Sequence, residues 1–503
     1  MSIRKILIIP ASLLCLLFAI KPATAQSDAD ALRFSMLEFG TTGRAVGLGG
    51  AFGALGGDFG VASINPAGIG VYKSTELAFS PGFSFTQNSS DFLGENTNAQ
   101  RFNANIGHFG LVAASDGKRD VRRRTDLRGV FGIGYNRLAS YQSSVEYSGF
   151  NPDNSLTDAW LQVLNDGGGT AENDIENRDP FGGFLGYEAF LINPTTSDSM
   201  QYFSVLPDGD VNQNLSAVSR GAHNEFDISY AVDWKGIVYV GATVGIPLVR
   251  YRTIRNWTED DAVGALDGFQ EFTFREEINT RGSGLNAKLG VIVRPTKSLR
   301  LGAAIHSPTR LRLSDDYTTE ISSVLNNVGE FEAFSDFGIF NYNLTTPWRA
   351  VGSIGVVIQK FGILSVDYEW VDYTTMNFDF GSDFAAEANS VNRRIDDKYR
   401  AVGNIRAGLE VKLDDWRVRG GYAMMASPFQ DGVAAEGADF GRQTISGGFG
   451  YRGESFFADF AYAHVMTTEY DAQYTLSDPA EPIHGATIDR VTGNAVVTLG
   501  VRF

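Results

Sequence analysis

Alternation with a period of two, sustained over stretches longer than ordinary strands, is the feature that most limits what this chain can fold into. In the last stretch Ala495, Val497, Leu499, Val501 and Phe503 are apolar, while Asn494, Val496, Thr498, Gly500 and Arg502 are mostly small or polar. Leu364, Val366, Tyr368 and Trp370 alternate with Ser365, Asp367 and Glu369. Trp416, Val418, Tyr422 and Met424 alternate with Arg417 and Arg419, and Ile445, Phe449 and Tyr451 with Thr444, Ser446 and Arg452. A soluble sandwich also puts apolar residues on one face and charges on the other. Its strands, however, run about 5–6 residues, and these segments often exceed 10. Aromatic residues also gather near the segment ends, as they do at the two interfaces of a membrane barrel.

The connections alternate in length. Fourteen strands are read near 75–87, 102–114, 127–148, 222–234, 236–257, 269–294, 298–320, 338–360, 362–380, 396–413, 415–427, 440–452, 454–472 and 489–503. Tight connections fall at Trp234-Lys235, Pro295-Thr296-Lys297, Lys360-Phe361, Asp414-Asp415 and Gly453, with 115–126 the longer exception. Long ones are expected over 88–101, 149–221, 258–268, 321–337, 381–395, 428–439 and 473–488. An even strand count, short turns at one end and long loops at the other describe an outer-membrane barrel. Backbone facing lipid has no water to bond, so such strands must close on themselves. The expected fold is therefore an all-β transmembrane barrel of about fourteen antiparallel strands over residues 75–503.

Composition narrows the function. Gly is 57 of 503 residues, well above the usual ~7%, and interior Gly at that density would cost a helical bundle about 1 kcal/mol each. A net charge of −17 argues against nucleic acid, whose phosphates need concentrated Lys and Arg. Residues 1–25 read as an export signal, with Arg4 and Lys5, the apolar run Ile6 to Ile20, and Ala23-Thr24-Ala25 as the cleavage site. Cleavage near Ala25 would remove Arg4, Lys5, Lys21 and the one cysteine, Cys15, leaving a charge of −20. Beyond Gln26 no apolar run approaches the ~18 residues of a spanning helix.

Residues 26–74 break the pattern. Ala31, Leu32, Met36 and Phe39 sit at roughly helical spacing, and the block GTTGRAVGLGGAFGALGGDFGVASINPAG (40–68) is crowded with small residues. No strand precedes its glycines and no Lys-Ser/Thr follows, so it is not a nucleotide loop. Such a segment suits a tight space, for example a barrel lumen. This block resembles that of the FadL/TodX outer-membrane transport proteins, ending in their hatch motif Asn65-Pro66-Ala67 followed by Gly68. Weaker echoes are His306-Ser307-Pro308, Pro347-Trp348, Asp367-Tyr368-Glu369-Trp370 and Ser427-Pro428. The resemblance implies a fourteen-stranded barrel plugged by an N-terminal hatch (26–74), and passage of hydrophobic molecules such as long-chain fatty acids. Hatch movement and lateral release into the membrane would provide the route. Related barrels that serve as docking subunits of a protein secretion system form the second reading. The resemblance also implies that Phe503 is the terminal aromatic recognised by the barrel-assembly machinery.

The residues themselves agree with a hatch. Pro66 lacks an N–H and keeps Asn65 out of the helical region, and Asn65 offers both donor and acceptor. Such a turn can dock on a locally bent strand. Gly132 and Gly134 are the expected bend, because interior strand Gly often marks one.

Other candidates are weak. Asp208-Gly209-Asp210-Val211-Asn212 begins like a calcium loop, but Gln213 and Ser219 stand where Gly and Glu are required. His108, His223, His306, His464 and His484 show no ligand spacing, and Arg122-Arg123-Arg124 reads as a solvated turn. No catalytic residues, metal or cofactor are expected, and no nucleic acid. The expected partners are a hydrophobic ligand, membrane lipid and the assembly machinery, with the chain a monomer. The 149–221 insertion, with Trp160, Phe181, Phe190 and Tyr202 among its aromatics, reads as a ligand-collecting surface or as a lid, the former favoured.

Overall fold

Long alternating segments pair in sequence order and close into one wall. In the computed structural model the strands are β1 (Glu76–Phe92), β2 (Glu95–Ala114), β3 (Leu127–Ser140 and Ser143–Asn151), β4 (Val211–Trp234), β5 (Val238–Asp261) and β6 (Glu271–Val293). They continue as β7 (Leu299–His306 and Arg310–Leu325), β8 (Gly329–Phe334, Gly338–Thr345 and Arg349–Ile358), β9 (Gly362–Asp372 and Asn377–Asp379) and β10 (Ala401–Leu413). The last four are β11 (Trp416–Met425), β12 (Arg442–Arg452), β13 (Phe456–Asp471) and β14 (Ala486–Arg502). Each pairs antiparallel with the next, and β14 returns to β1, from Glu76↔Arg502 to Asp91↔Thr487. The result is a closed 14-strand antiparallel barrel. The structure describes residues 27–503 except 39, 115–126, 207–208, 262–263, 265, 267, 359, 436 and 478–480. The export signal expected over 1–25, Phe39, Arg122–Arg124 and Asp208 lie outside the described residues.

The facing follows the pleat. On β1, Leu77, Phe79, Phe83 and Phe85 are exposed, whereas Glu76, Ser80, Ser84 and Thr86 are buried toward the lumen. The same split runs round the barrel: Leu364, Val366, Tyr368 and Trp370 point out, and Ser365, Asp367 and Glu369 point in. Among the described residues no helix is long and apolar enough to cross a membrane; the exposed apolar band belongs to the strands.

Several expected loops are strand instead. The connection expected over 88–101 is a tight turn at Leu93 (φ 52) and Gly94 (φ 85) joining β1 to β2, with both residues left-handed as a two-residue hairpin requires. Likewise β4 begins at Val211 and β5 runs to Asp261. Beyond the lipid both faces of a strand meet water or loops. The sequence alternation then fades while the hydrogen-bond ladder continues.

The connection between β3 and β4 carries α3 (Leu156–Asn165), α4 (Ile175–Arg178), α5 (Gly183–Glu188) and a small hairpin, Ile192–Pro194 with Tyr202–Ser204. Its apolar residues are mostly packed inward. Trp160 lies 5.2 Å from Phe274 and Leu164, Ile175, Leu185 and Leu191 are fully buried. They form one core with Phe92, Tyr147, Trp257, Phe272, Ile321 and Ile488, which come from seven strands counting Phe274 and Ala333. Glu259 ties this cap down by accepting from Leu156 N (2.9 Å), Gln213 Nε2 (2.9 Å) and Trp257 Nε1 (2.9 Å). In this cap, burial pushes the Asp179 carboxyl up, although it accepts from Gly183 N at 2.6 Å. The insertion is thus a lid across the barrel mouth. A second element, the helix Ala385–Lys398, covers the other side.

Candidate functional site: hatch, cavity and an interrupted wall

The N-terminal segment lies inside the barrel. It contains α1 (Asp28–Ser35), α2 (Gly43–Gly47) and two 3₁₀ turns, Phe59–Ser63 and Pro66–Val71. Its apolar side chains Leu48, Phe52, Leu55, Val61, Ile64 and Ile69 pack on one another and on Val112, Val130, Ala231, Ala304 and Val351 of the wall. Its outside is fastened to the wall by polar bonds. Asp367 Oδ2 accepts from Phe52 N (2.9 Å) and Gly53 N (2.8 Å). Thr498 Oγ1 accepts from Gly43 N (2.8 Å), and His306 Nε2 meets Ile64 O (2.8 Å). Arg300 donates to Leu55 O at 2.5 Å. Arg44 forks onto Glu410, Nε–Oε2 3.1 Å and Nη2–Oε1 3.3 Å. Burial opposes the Arg44 charge, but the Glu410 carboxylate outweighs it and holds the guanidinium above its ordinary pKa. Glu410 also accepts from Arg419, which reaches on to Asp459. Glu410 and Asp459, lumenal acids that alternate with lipid-facing residues, are thus paired. Buried charges would otherwise be very costly.

Asn65 caps the second 3₁₀ turn. Its Oδ1 accepts from Ala67 N (3.1 Å), and its Nδ2 donates to Gly53 O (2.7 Å) and to Val291 O on β6 (3.3 Å). One side chain therefore joins two parts of the hatch and the wall. The surface beneath it is a pair of facing glycines, Gly241 on β5 and Gly290 on β6. A Cβ on Gly241 would strike Pro66 and Ala67, and one on Gly290 would strike Asn65 and Pro66. Gly68 is also close against Val61 and Gly56, though less tightly.

Gly132 and Gly134 are not the bend, and Asn65 does not dock there. Their ladder runs unbroken on both sides, with Gly132 facing Val112 and Ser229 and Gly134 facing Gly110 and Asp227. They are small because the ring of Phe59, from the hatch, occupies the place of any Cβ at either position. The bend lies just beyond. The β3–β4 register shifts between Arg137 and Ala139, and β3 is interrupted between Ser140 and Ser143.

This bend opens the wall. β2 pairs with β3 only where His108–Ala114 face Val130–Asn136. Beyond Asn136, β3 keeps its ladder to β4 but has none to β2. Its outer half leans toward the lumenal side of β1: Asn88 Nδ2 donates to Ser144 O (2.5 Å), and Phe92 meets Tyr147 at 4.8 Å. Outside the interrupted stretch, Phe102 and Ile106 of β2 are exposed. Inside it lies a cavity of about 490 Å³, bounded by Leu32, Arg33 and Met36 of the hatch, Tyr141 and Gln142 of the bend, Tyr251, and Phe429 and Phe440 from the loop side. The arginines at its rim are paired: Arg33 with Asp30, Arg255 with Asp471 (2.8 Å), Arg442 with Glu38 (2.8 Å) and Arg490 with Glu469 (2.9 Å). Sequence reasoning missed Gly241, Gly290 and the Arg137–Gln142 bend, and named Asp367 only as part of a weak echo, without its bonds to Phe52 and Gly53. Phe503 is 70% exposed at the short-turn end, its N–H donating to Thr75 O.

A closed fourteen-strand barrel with an internal hatch and one interrupted seam defines a class of outer-membrane transport barrel. Residues 250–503 match the family described as outer membrane protein transport protein (OMPP1/FadL/TodX), and the chain belongs to that family. It is a transport family, not an enzyme family. The fold is shared with the Pseudomonas putida toluene transporter TodX (12% identity, 93% of this chain and 99% of that one, TM-score 0.55). It is shared also with a Pseudomonas aeruginosa FadL homologue (13% identity, 93% and 99%, TM-score 0.53). No curated protein matches the chain in sequence.

Proposed function

We propose that this protein admits hydrophobic small molecules, such as long-chain fatty acids or monoaromatic hydrocarbons, across the outer membrane without energy input. The observation that carries this reading is the contact between the 490 Å³ cavity and the bend at Tyr141 and Gln142, where the β2–β3 ladder is missing. A ligand in the cavity passes between these strands into lipid. Each methylene that leaves water for an apolar medium gains about 0.8 kcal/mol, so lateral release into the bilayer is downhill, whereas release into periplasmic water is not. The hatch, fastened by Asn65, Pro66, Ala67 and Gly68, blocks the straight path through the lumen and lines the cavity with Leu32, Arg33 and Met36. Its movement adjusts access from cavity to seam. Phe503, exposed at the end of β14, is the residue the assembly machinery would read.

Stitching the seam tests this. Arg101 Nε and Gln142 Oε1 are 3.0 Å apart across it, so Arg101→Cys with Gln142→Cys places two thiols within reach of a short reducible cross-linker. Cross-linking is expected to lower uptake of radiolabelled oleate and toluene about tenfold, the equivalent of roughly 1.4 kcal/mol, with recovery on reduction. Equal uptake by the cross-linked barrel would reject the lateral route.

A further inference from the structure

Among the described residues, arginines crown the apolar band on one side of the barrel. On β5 the outward row Val240, Val244, Ile246 and Leu248 is followed directly by Arg250 and Arg252, all of them exposed. On β6, Leu289 and Leu285 lead to Arg281; on β4, Tyr230, Ile228 and Phe226 lead to Arg220. On β7, Leu301 and Ile305 lead to Arg310 and Arg312. Eight residues of strand at about 3.4 Å each, tilted about 40°, rise roughly 20 Å, close to the ~25 Å height of a barrel's apolar band. The arginines therefore sit at the loop-side edge of the lipid. At that depth an outward arginine costs only about 0–1 kcal/mol. By contrast, β1 and β14 carry Asp91 and Asp489 in the outward rows toward the loops.

These cations face one another. Arg220 is directly opposite Arg252, and Arg250 directly opposite Arg281. Like charges in facing positions, with Cβ atoms about 5 Å apart, destabilise a sheet. Only Arg252 has a carboxylate, Glu277 at 2.6 Å. Among the described residues the side chains of Arg220, Arg250, Arg281, Arg310 and Arg312 form no ion pair or hydrogen bond. Between the first three lies a depression of about 360 Å³, bounded also by Arg252 and Asn279. Unneutralised guanidinium groups around a concave bed are a site for a dianion, and guanidinium forks match phosphate oxygens two by two.

We infer that Arg220, Arg250 and Arg281, extended by Arg310 and Arg312, bind the phosphoryl headgroup of an anionic glycolipid of the outer leaflet. Its acyl chains lie along the apolar rows below. The continuity of the cations with those rows selects a lipid over a free anion, since a headgroup anchored by its own chains arrives at this height. The site begins on β4, which ladders to the bent strand β3, so the bound lipid stands next to the seam.

The test uses the purified full-length barrel and native mass spectrometry with diphosphoryl lipid A, dephosphorylated lipid A and phosphatidylethanolamine as probes. Wild type is expected to retain diphosphoryl lipid A. The triple variant Arg220→Ser, Arg250→Ser, Arg281→Ser is expected to retain about tenfold less, while Lys297→Ser, at the short-turn end, retains it fully. Equal retention by the folded triple variant overturns the proposal, as does equal retention of the dephosphorylated probe by wild type. Inorganic phosphate that raises the thermal midpoint of wild type as much as the lipid does would make this a free-anion site and also overturn it. Folding is read by heat-modifiable gel mobility. Should the serine variant not fold, the corresponding Arg→Lys triple variant keeps the charge and loses the fork, and is expected to retain about threefold less than wild type.

Discussion

The barrel is occupied from both ends, and the two occupants are held with a different balance of apolar and polar contacts. The lid shares its core with the wall: Trp160, Leu164 and Leu185 belong to one cluster with Phe92, Trp257, Phe272 and Ile321. The hatch packs its own apolar residues mainly against small or aliphatic wall side chains such as Val130, Ala231, Ala304 and Val351, and adds polar bonds to Asp367, Thr498, His306, Arg300 and Glu410. Apolar burial is non-directional and is lost in proportion to area. A polar bond is exchanged against water and contributes a net ~0.5–1.5 kcal/mol. The polar share of the hatch's fastening can therefore be exchanged, one bond for another or for water. The lid cannot move without exposing its core. Under the proposed lateral route, the difference makes the hatch the part expected to move and the lid the part expected to stay.

The lid gives the largest expected effect. Trp160→Ala removes the side chain that fits against Phe272 and Phe274, and a buried Trp→Ala change costs about 3–5 kcal/mol. Limited proteolysis within residues 152–206 is expected to become rapid while the barrel keeps its heat-modifiable mobility. Continued protection of the lid would show that its aromatic core is not what holds it to the wall.

Asn65→Ala comes next. It leaves the Gly53 and Val291 carbonyls without this donor, a loss of about 1–3 kcal/mol for buried polar groups. Hydrophobic-substrate uptake is expected to fall while the amount of barrel in the membrane stays the same. Unchanged uptake would remove Asn65 from any role in holding the hatch, and absence of barrel would make it a folding residue.

How much of this was legible depended on what surrounds each residue. Where strands face lipid, the solvent imposes alternation, so Leu364–Trp370 and Trp416–Met424 were readable as wall. Above the lipid, Asn88–Gln100 pairs just as regularly, yet no apolar environment writes a pattern there and the stretch reads as loop. The hatch block was legible through its density of small residues, but its docking partners were not. Gly241 and Gly290 are single glycines in different strands, and only register sets them side by side. Gly132 and Gly134 misled for a related reason, since an interior glycine marks room for a neighbour, here Phe59, as readily as a bend. The arginine crown was illegible for the same cause. Arg220, Arg250 and Arg281 are scattered in sequence and adjacent only across strands.

The smallest expected effect separates wall from hatch within three consecutive residues. Val497 and Leu499 share the outward face of β14, with Leu499 exposed, while Thr498 is buried in the lumen. Thr498 accepts from Gly43 N and bonds Ser80 Oγ at 2.7 Å. Thr498→Val keeps the shape and removes these bonds, a change of about 0.5–1.5 kcal/mol. Since the wall ladder is backbone, assembly should be unaffected. The hatch, deprived of one of several polar fastenings, should show faster amide exchange at Gly43 and its neighbours in hydrogen-exchange mass spectrometry, with exchange in the lid unchanged. If lid and hatch exchange faster together, the two form one cooperative unit, and the independence inferred from their separate cores is wrong.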